Sequence, residues 1–306
     1  MNDVGADMTD DTAIETAGLG KRYKRTWALQ DCTLHLPIGR IAALVGPNGA
    51  GKTTLLHLAV GLLAPDAGSV RVFGQNPYGN TAALAEIGFV AQDNPLYRDF
   101  TARELITLGG KLNRNWDAAL ARTRLSDLGI APNLAVGKLS GGQRAQVALT
   151  LALAKRPRLL LLDEPIAALD PLARHEFMQA LMGAVAETGT TVLLSSHLLA
   201  DLERACDYLI VLQTARVQLS GPVDDLLEGH RTLIGPRTEA DLIPGVAEVI
   251  RVSHTDRQST LLARMDGAGP DNPAWTVRDV TLEDLVLAYL AKADTRATRT
   301  AWEVNA

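Results

Sequence analysis

A glycine-rich segment that follows an apolar run constrains this chain more than any other feature. Residues 46–53 read GPNGAGKT and match the pattern G-x-x-x-x-G-K-[ST]. The apolar run Ile41–Val45 before this segment predicts a buried strand, and residues 53–63 after it predict a helix. A strand, a tight glycine loop and a helix in this order predict an α/β fold with a largely parallel sheet.

The residue types in this loop suit the binding of phosphate groups. Glycines allow backbone N–H groups to curl around a phosphate, and the following helix directs the positive end of its dipole at the same place. Lys52 can reach the β- and γ-phosphates of a nucleotide, and the Thr53 hydroxyl can bind Mg²⁺. The predicted nucleotide contacts are Gly46, Pro47, Asn48, Gly49, Ala50, Gly51, Lys52, Thr53 and Thr54.

Two carboxylates follow a second apolar run. Four leucines at 159–162 predict a fully buried strand, and Asp163 and Glu164 come directly after it. We expect Asp163 to hold Mg²⁺ and Glu164 to orient and polarise the attacking water. Without the leucines and the upstream loop, the same pair would be read as solvated loop acids. The two motifs together indicate a P-loop nucleotide-binding protein and leave kinases, helicases and GTPases open.

The segment LSGGQ at 139–143 narrows these alternatives. It precedes a predicted helix over 143–155, so Ser140 and the backbone of Gly141 and Gly142 predict a second anion site at a helix N-terminus. One chain needs only one phosphate cradle for one ATP. We therefore expect the second site to contact the γ-phosphate of ATP bound to a partner subunit; the alternative is an ordinary glycine-rich helix cap.

With these three motifs, the chain resembles the nucleotide-binding subunits of ABC transporters. It is similar to the exporter branch, in which a short ATPase polypeptide pairs with a separate membrane protein. The resemblance runs from about residue 13 to residue 222. It implies a P-loop ATPase core with a mainly parallel sheet, N-terminal antiparallel strands and a helical insert at about 93–155. It also implies hydrolysis of ATP with Mg²⁺, coupled to transport.

The same resemblance implies roles for four further residues. Tyr23 matches the aromatic residue that stacks on adenine, and Gln92 matches the glutamine that contacts Mg²⁺ and the water. Asp170 lies in the loop that crosses the dimer interface and also starts a helix before Pro171. His197 matches the histidine that touches the γ-phosphate. The implied sets are Glu164, His197 and Gln92 for catalysis, Thr53, Gln92 and Asp163 for the metal, and, as further nucleotide contacts, Tyr23, Ser140, Gly141, Gly142, Gln143 and Asp170.

The chain departs from the family pattern at two loops. Ala168 opens the interface loop where the family often has serine, and the hairpin turn at Thr214 and Ala215 lacks the usual glycine. Neither position belongs to the predicted catalytic set, so we still expect hydrolysis.

The chain ends are predicted to differ from the central region. Residues 1–12 are acidic and polar and predict a disordered tail, followed by an ABC-type ATPase domain over 13–222. Residues 223–306 predict a small α+β C-terminal appendage. Its strand candidates lie at 233–235, 246–252, 260–265 and 275–280, and a helix is predicted over 281–293.

Composition limits the kinds of partner. The formal net charge of −5 gives no reason to expect nucleic acid as a main partner. Cys32 and Cys206 form no disulfide framework, and no run of 18 apolar residues predicts a membrane span. We expect as partners a second ATPase subunit, identical or similar, and an integral membrane permease subunit. The expected location is the cytoplasmic face of the cell membrane.

Three other functions are compatible with parts of this pattern. A soluble ABC-type ATPase could act on a ribosome or a nucleic-acid assembly, but such proteins usually carry two ATPase halves or long coiled coils. A regulatory subunit that does not hydrolyse ATP would not need the complete catalytic set. A P-loop kinase would not need the LSGGQ segment.

Overall fold

The computed structural model describes residues 11–197, 202–203, 205–237, 243–267 and 273–303, with side chains up to Lys292. The strands are β1 Thr12–Tyr23, β2 Thr26–Pro37, β3 Ile41–Val45, β4 Ala67–Val72, β5 Ile87–Val90, β6 Leu159–Asp163, β7 Thr191–Ser196, β8 Tyr208–Gln213, β9 Arg216–Pro222, β10 His230–Pro236, β11 Val246–His254, β12 Gln258–Met265 and β13 Thr276–Arg278. The helices are α1 Lys52–Ala59, α2 Thr81–Ala85, α3 Ala102–Leu112, α4 Ala118–Asp127, α5 Gly141–Ala154, α6 Pro171–Thr188, α7 Val223–Glu228 and α8 Leu282–Glu303, and Val136–Lys138 forms a 3₁₀ turn.

The main sheet has six strands in the order β5-β6-β7-β3-β8-β9. All neighbours are parallel except β9, which pairs antiparallel with β8. Strands β6, β7 and β8 are buried along their whole length, as expected for apolar runs covered on both faces. The parallel arrangement confirms the predicted α/β class and brings the carboxyl ends of β3, β5, β6 and β7 to one edge.

A separate antiparallel sheet of order β2-β1-β4 lies at the N-terminal side of the chain. Its first strand begins at Thr12, which opposes Pro37. The predicted boundary of the tail at residue 12 is therefore one residue too late, because Thr12 already pairs within the sheet. Residues 1–10 of that predicted tail lie outside the described residues.

The helical insert has a hydrophobic core of its own. Helices α3, α4 and the 3₁₀ turn pack their apolar faces together against α5, with Leu105, Leu125 and Val136 buried among them. Helix α3 begins with a capping box, since the Thr101 hydroxyl accepts from the Glu104 N–H and the Glu104 carboxylate accepts from the Thr101 N–H. The insert is thus a compact helical unit that shares α5 with the main sheet.

The end of helix α1 and the β8–β9 turn both depend on left-handed backbone conformations. Helix α1 ends at Ala59 and not at residue 63, because Gly61 adopts a left-handed φ of 70° that stops the helix. The β8–β9 turn has left-handed φ values of 49° at Thr214 and 61° at Ala215, a conformation that usually selects glycine or asparagine. The missing glycine noted in the sequence is therefore tolerated in a strained turn.

The C-terminal region adds a four-stranded antiparallel sheet of order β11-β12-β10-β13 and the long helix α8. Helix α8 contacts β11 of this sheet and also β8 and β9 of the main sheet. Leu285 and Tyr289 of α8 belong to the same buried cluster as Phe177 and Leu209 of the ATPase body. The hydrophobic core is therefore continuous from the main sheet into the C-terminal region.

The predicted C-terminal elements differ from the observed ones mainly at their ends. The strand predicted over 275–280 is shorter, at Thr276–Arg278. Helix α8 continues ten residues beyond the predicted end at residue 293, to Glu303. Within the described residues, no helix combines the length and the apolar character that a bilayer span requires.

Candidate nucleotide site

The topology of the main sheet gathers the predicted chemistry at one edge. Strand β7 lies between β3 and β6, so its carboxyl end separates the glycine loop from the acidic pair. In the register of these strands, Val45 lies opposite Ser196 and Asp163 lies opposite Ser195. Loops that leave neighbouring parallel strands meet at this edge, which is where open α/β sheets bind ligands.

The glycine loop leaves no room for side chains at its critical positions. A Cβ on Gly46 would lie 2.1 Å from the Leu212 carbonyl oxygen, and one on Gly51 would lie 2.3 Å from the Ala28 carbonyl oxygen. Gly51 also has a φ of 108°, which L residues rarely adopt. The local backbone therefore requires glycine, and its N–H groups form a concave surface that fits an anion.

Lys52 lies in the mouth of this loop, with its side chain only 6% exposed. Its ammonium donates to the carbonyl oxygens of Gly46 at 2.8 Å and Pro47 at 3.3 Å. It also forms an ion pair with Glu164 Oε1 at 3.2 Å. The ammonium thus has three acceptors, and a bound phosphate would have to compete with them.

Glu164 is the second centre of the site. It is 7% exposed, and its backbone has a left-handed φ of 46°. While Oε1 pairs with Lys52, Oε2 lies 2.5 Å from Nδ1 of His197, which is exposed to solvent. The carboxylate therefore links the glycine loop of β3 to the residue that follows β7.

Asp163 supplies a buried carboxylate beside these groups. It is 1% exposed, and its Oδ1 accepts a hydrogen bond of 2.8 Å from the Ser195 hydroxyl. Mg²⁺ prefers oxygen ligands and is usually bound by one or two carboxylates together with substrate phosphates. Asp163 and the Thr53 hydroxyl offer such oxygens. The residues present therefore fit Mg²⁺ bound together with a nucleotide.

The LSGGQ segment forms the start of helix α5. Ser140 is the N-cap, accepts from the Gln143 N–H at 3.2 Å and donates its own N–H to Gln143 Oε1 at 3.0 Å. A Cβ on Gly142 would lie 2.9 Å from the Ala173 side chain, so glycine lets the starts of α5 and α6 approach each other. Asp170 caps α6 by accepting from the Leu172 and Ala173 N–H groups at 3.1 and 3.0 Å.

The starts of α5 and α6 enclose a cavity of about 380 Å³ that is separate from the glycine loop. Its lining includes Ser140, Gly142 and Asp170, and it includes none of residues 46–54. Gln146 also lines it, is 5% exposed, and has no hydrogen-bond partner for its amide among the described residues. The cavity at the starts of α5 and α6 and the glycine loop are thus two distinct places on the chain.

The structure brings some of the predicted residues together and leaves others apart. Lys52, Glu164 and His197 are in contact, and Ser195 joins Asp163 to the same group. Tyr23 lies at the end of β1 with half of its side chain exposed, and Gln92 is exposed after β5. Ser195 is not among the residues that the sequence predicted for this site. The available signal was a hydroxyl residue two positions before His197.

The comparisons with known proteins agree with this geometry. Residues 29–167 match the family model described as ABC transporter. The chain is 36% identical over 222 residues to Nod factor export ATP-binding protein I of Rhizobium johnstonii, which covers 71% of each protein. It is 37% identical over 212 residues to the Escherichia coli protein named "Probable multidrug ABC transporter ATP-binding protein YbhF", covering 66% of this chain and 36% of that one.

Solved structures show the same architecture. The dimeric bacterial ABC transporter cassette MJ0796 superposes with a TM-score of 0.62 at 27% identity, over 69% of this chain and 98% of that one. A bacterial Atm1-family ABC exporter with ATP bound gives a TM-score of 0.62 at 28% identity, over 72% of this chain and 41% of that one. Together with the nucleotide site, these similarities show that the chain belongs to the ATP-binding subunits of ABC transporters and is an ATPase.

Proposed function

We propose that this ATPase drives a membrane-embedded exporter by closing and opening as a dimer around ATP. The observation that carries the proposal is the separation of two half-sites in one chain, the glycine loop with its acidic pair and the cavity at the start of α5. Export is supported by the relatives, several of which are named export ATP-binding proteins. The resemblance to the Rhizobium johnstonii relative covers about 71% of the chain.

The half-site at the glycine loop binds and cleaves the nucleotide in this proposal. The loop amides and Lys52 hold the β- and γ-phosphates, and Glu164 accepts a proton from the attacking water. His197 holds the Glu164 carboxylate in place, while Tyr23 stacks on the adenine and Gln92 helps to position the water. Asp163, Thr53 and Gln92 would hold Mg²⁺, which would neutralise charge on the phosphates when bound.

The second half-site completes the first only across a dimer interface. Ser140, Gly142 and the α5 N-terminus of one subunit would contact the γ-phosphate bound by the other, and the Asp170 loops would pass each other at the boundary. One solved relative, the bacterial ABC transporter cassette MJ0796, is described as dimeric. Loss of the γ-phosphate on hydrolysis removes the anion that bridges the subunits, so the dimer opens. The partner is a second copy or a similar chain.

The proposed contact with the membrane subunit lies in a groove between the main sheet and the helical insert. The groove has a volume of about 680 Å³ and a mostly apolar lining that includes Phe89, Leu105 and Leu108. Leu62, Tyr97 and Leu112 on its rim are 60%, 63% and 73% exposed, which is unusual for large apolar side chains. A short amphipathic segment of a permease would cover these residues and place the chain peripherally on the cytoplasmic face of the membrane.

A pull-down of the tagged chain from its native membranes in mild detergent tests this function. We expect a multi-span membrane protein to co-purify in roughly equal amount. The double variant Leu62→Asp, Leu112→Asp should lose that partner and keep ATP binding, because neither residue lies in the nucleotide site. Recovery of a ribosomal or nucleic-acid assembly without a membrane protein would retain the ATPase chemistry and overturn the transport function.

A further inference from the structure

One buried hydroxyl connects the two acidic residues of the nucleotide site. Ser195 lies in β7 opposite Asp163 of β6 and has no solvent exposure. Its Oγ donates to Asp163 Oδ1 at 2.8 Å and accepts from the Glu164 N–H at 2.9 Å. The side chain of one residue in a neighbouring strand therefore bonds to two consecutive residues of the site.

The direction of these hydrogen bonds is determined by their chemistry. A backbone N–H can only donate, so the Glu164 N–H uses Ser195 Oγ as an acceptor. The single hydroxyl proton of Ser195 then goes to Asp163, because an ionised carboxylate only accepts. Oδ2 of Asp163 takes part in neither of these two hydrogen bonds.

The second bond acts on the backbone of Glu164. Its φ of 46° is sparsely populated for a residue with a side chain, and such conformations persist only where the surroundings hold them. Removal of the hydroxyl would leave the Glu164 N–H buried without its acceptor. The position of the Glu164 carboxylate between Lys52 and His197 depends on this backbone conformation.

We propose that Ser195 is a positioning residue for ATP hydrolysis. Its hydroxyl fixes the rotation of the Asp163 carboxylate for the metal ion and holds Glu164 in the strained conformation that aims its carboxylate. The inference rests on the proposed roles of Asp163 and Glu164, and it adds to them a residue outside the predicted site. Partners that orient metal ligands typically change metal affinity or activity about 10–100-fold when they are removed.

The test uses Ser195→Ala in the full-length chain, with Mn²⁺ as a paramagnetic substitute for Mg²⁺. Binding of Mn²⁺ in the presence of ATP is followed by electron paramagnetic resonance, and phosphate release is measured separately. We expect the half-saturating Mn²⁺ concentration to rise about 10-fold and kcat to fall about 10–100-fold. ATP binding in excess EDTA should change less than about two-fold, because the glycine loop is untouched.

Two matched variants separate positioning from general stability. Ser195→Thr retains the hydroxyl and should recover most of the Mn²⁺ affinity. Thr191→Val removes another buried hydroxyl at the opposite end of β7, where Thr191 Oγ1 accepts from the Gly39 N–H at 2.9 Å. This variant should lower the melting temperature and leave the half-saturating Mn²⁺ concentration unchanged. If Ser195→Ala does not fold, Ser195→Cys, whose thiol is a weak donor, replaces it.

Unchanged Mn²⁺ affinity and kcat in Ser195→Ala would overturn the inference, and so would an equal loss of Mn²⁺ affinity in Thr191→Val. Wild-type protein that binds Mn²⁺ and ATP without releasing phosphate would instead contradict the proposed hydrolytic role of Glu164. In that case the comparison of Mn²⁺ affinities would still decide whether Ser195 positions Asp163.

Discussion

At the scale of single residues, the Glu164 carboxylate lies between a lysine and a histidine. Glu164 accepts from Lys52 at one carboxylate oxygen and contacts His197 at the other. Lys52 begins helix α1, whereas Glu164 follows β6 and His197 follows β7. A nucleotide that takes Lys52 away from Glu164 releases one carboxylate oxygen. The same event that binds the phosphates therefore frees the group that is proposed to receive the proton.

The variant Glu164→Gln tests this proton-accepting role. A neutral amide cannot serve as a general base, so hydrolysis should fall at least about 100-fold. ATP binding should persist, because Lys52 and the glycine loop remain and the amide competes less strongly for the ammonium. Phosphate release and ATP binding are measured on the same protein.

Glu187→Gln is the matched control for this experiment. Glu187 is exposed on α6, away from the nucleotide site. Its replacement should leave phosphate release and ATP binding unchanged. Full activity of Glu164→Gln would show that another group activates the water.

At the scale of elements, the start of α5 is built to present its N-terminus outward. The Ser140–Gln143 capping box satisfies one N–H at each of these residues and leaves the amides of Gly141 and Gly142 at the cavity. A helix of 14 residues adds its dipole to these amides. We propose this helix start as an anion site, and the glycine loop of the same chain does not line its cavity.

The variant Ser140→Arg tests whether this element works on the partner's nucleotide. A long cation at the N-cap removes the capping hydroxyl, opposes the helix dipole and fills the cavity at the interface. We expect ATP to bind as in the wild type, the dimer to be lost in size-exclusion chromatography with ATP, and hydrolysis to fall at least about 10-fold. Normal hydrolysis would contradict a site shared between subunits.

A buried histidine joins α7, β10 and α8. His230 is 2% exposed, and its Nδ1 lies 2.6 Å from the Leu226 carbonyl oxygen, so this nitrogen carries the proton. Nε2 then accepts from the Tyr289 hydroxyl at 3.0 Å. Burial is the largest effect on the pKa of His230 and lowers it, and the positive charge of Arg264 lowers it further. The hydrogen bond to the Leu226 carbonyl and the negative charge of Glu248 act in the opposite direction. Burial also raises the pKa of Tyr289 to about 12, so its hydroxyl stays protonated.

This histidine should make stability depend on pH. Its folded pKa lies below the value of about 6.5 in the unfolded chain, so the unfolded state binds more protons as the pH falls. The contribution is fully present above about pH 6.5 and is lost as the pH falls through the folded pKa. Urea unfolding at pH 7.5 and 5.5 should show a smaller difference for His230→Gln than for the wild type. The exposed His175, changed to Gln, should keep the wild-type difference.

Sequence patterns predicted those parts of the site that depend on local chain order. The glycine loop, the acidic pair after β6 and the cap of α5 are contiguous motifs whose geometry follows from a few neighbouring residues. Ser195 could not be assigned in this way, because its role depends on the register between strands β6 and β7. It bonds to Asp163, which lies 32 residues earlier in the sequence. Helix α8 was predicted, but its packing on β8 and β9 depends on long-range contacts that periodicity does not specify.

At the scale of the whole molecule, the C-terminal region is part of the ATPase core. Ile250, Leu262 and Leu285 belong to the buried cluster that also contains Leu162 and Leu194 of the main sheet. Glu248 contributes further contacts between the elements, since it pairs with Lys292 of α8 and with Arg264 of β12. The region predicted to begin at residue 223 therefore shares its hydrophobic core with the main sheet.

The variant Leu285→Ala tests this continuity. Leu285 has no solvent exposure, so its truncation should lower the free energy of unfolding by about 3 kcal/mol. The loss should appear in a single unfolding transition that also ends ATP binding. Leu287→Ala on the same helix is the control, because that side chain is 45% exposed and should change stability by less than about 0.5 kcal/mol. Separate transitions for ATP binding and for the C-terminal region would contradict a shared core.

The shared core has a consequence for the order of events during synthesis. The glycine loop and the acidic pair leave the ribosome long before α8, yet the cluster that supports them is completed only when α8 packs on β8 and β9. A nascent chain stalled after Pro222 should therefore expose apolar surface of the main sheet and remain sensitive to protease, even with ATP present.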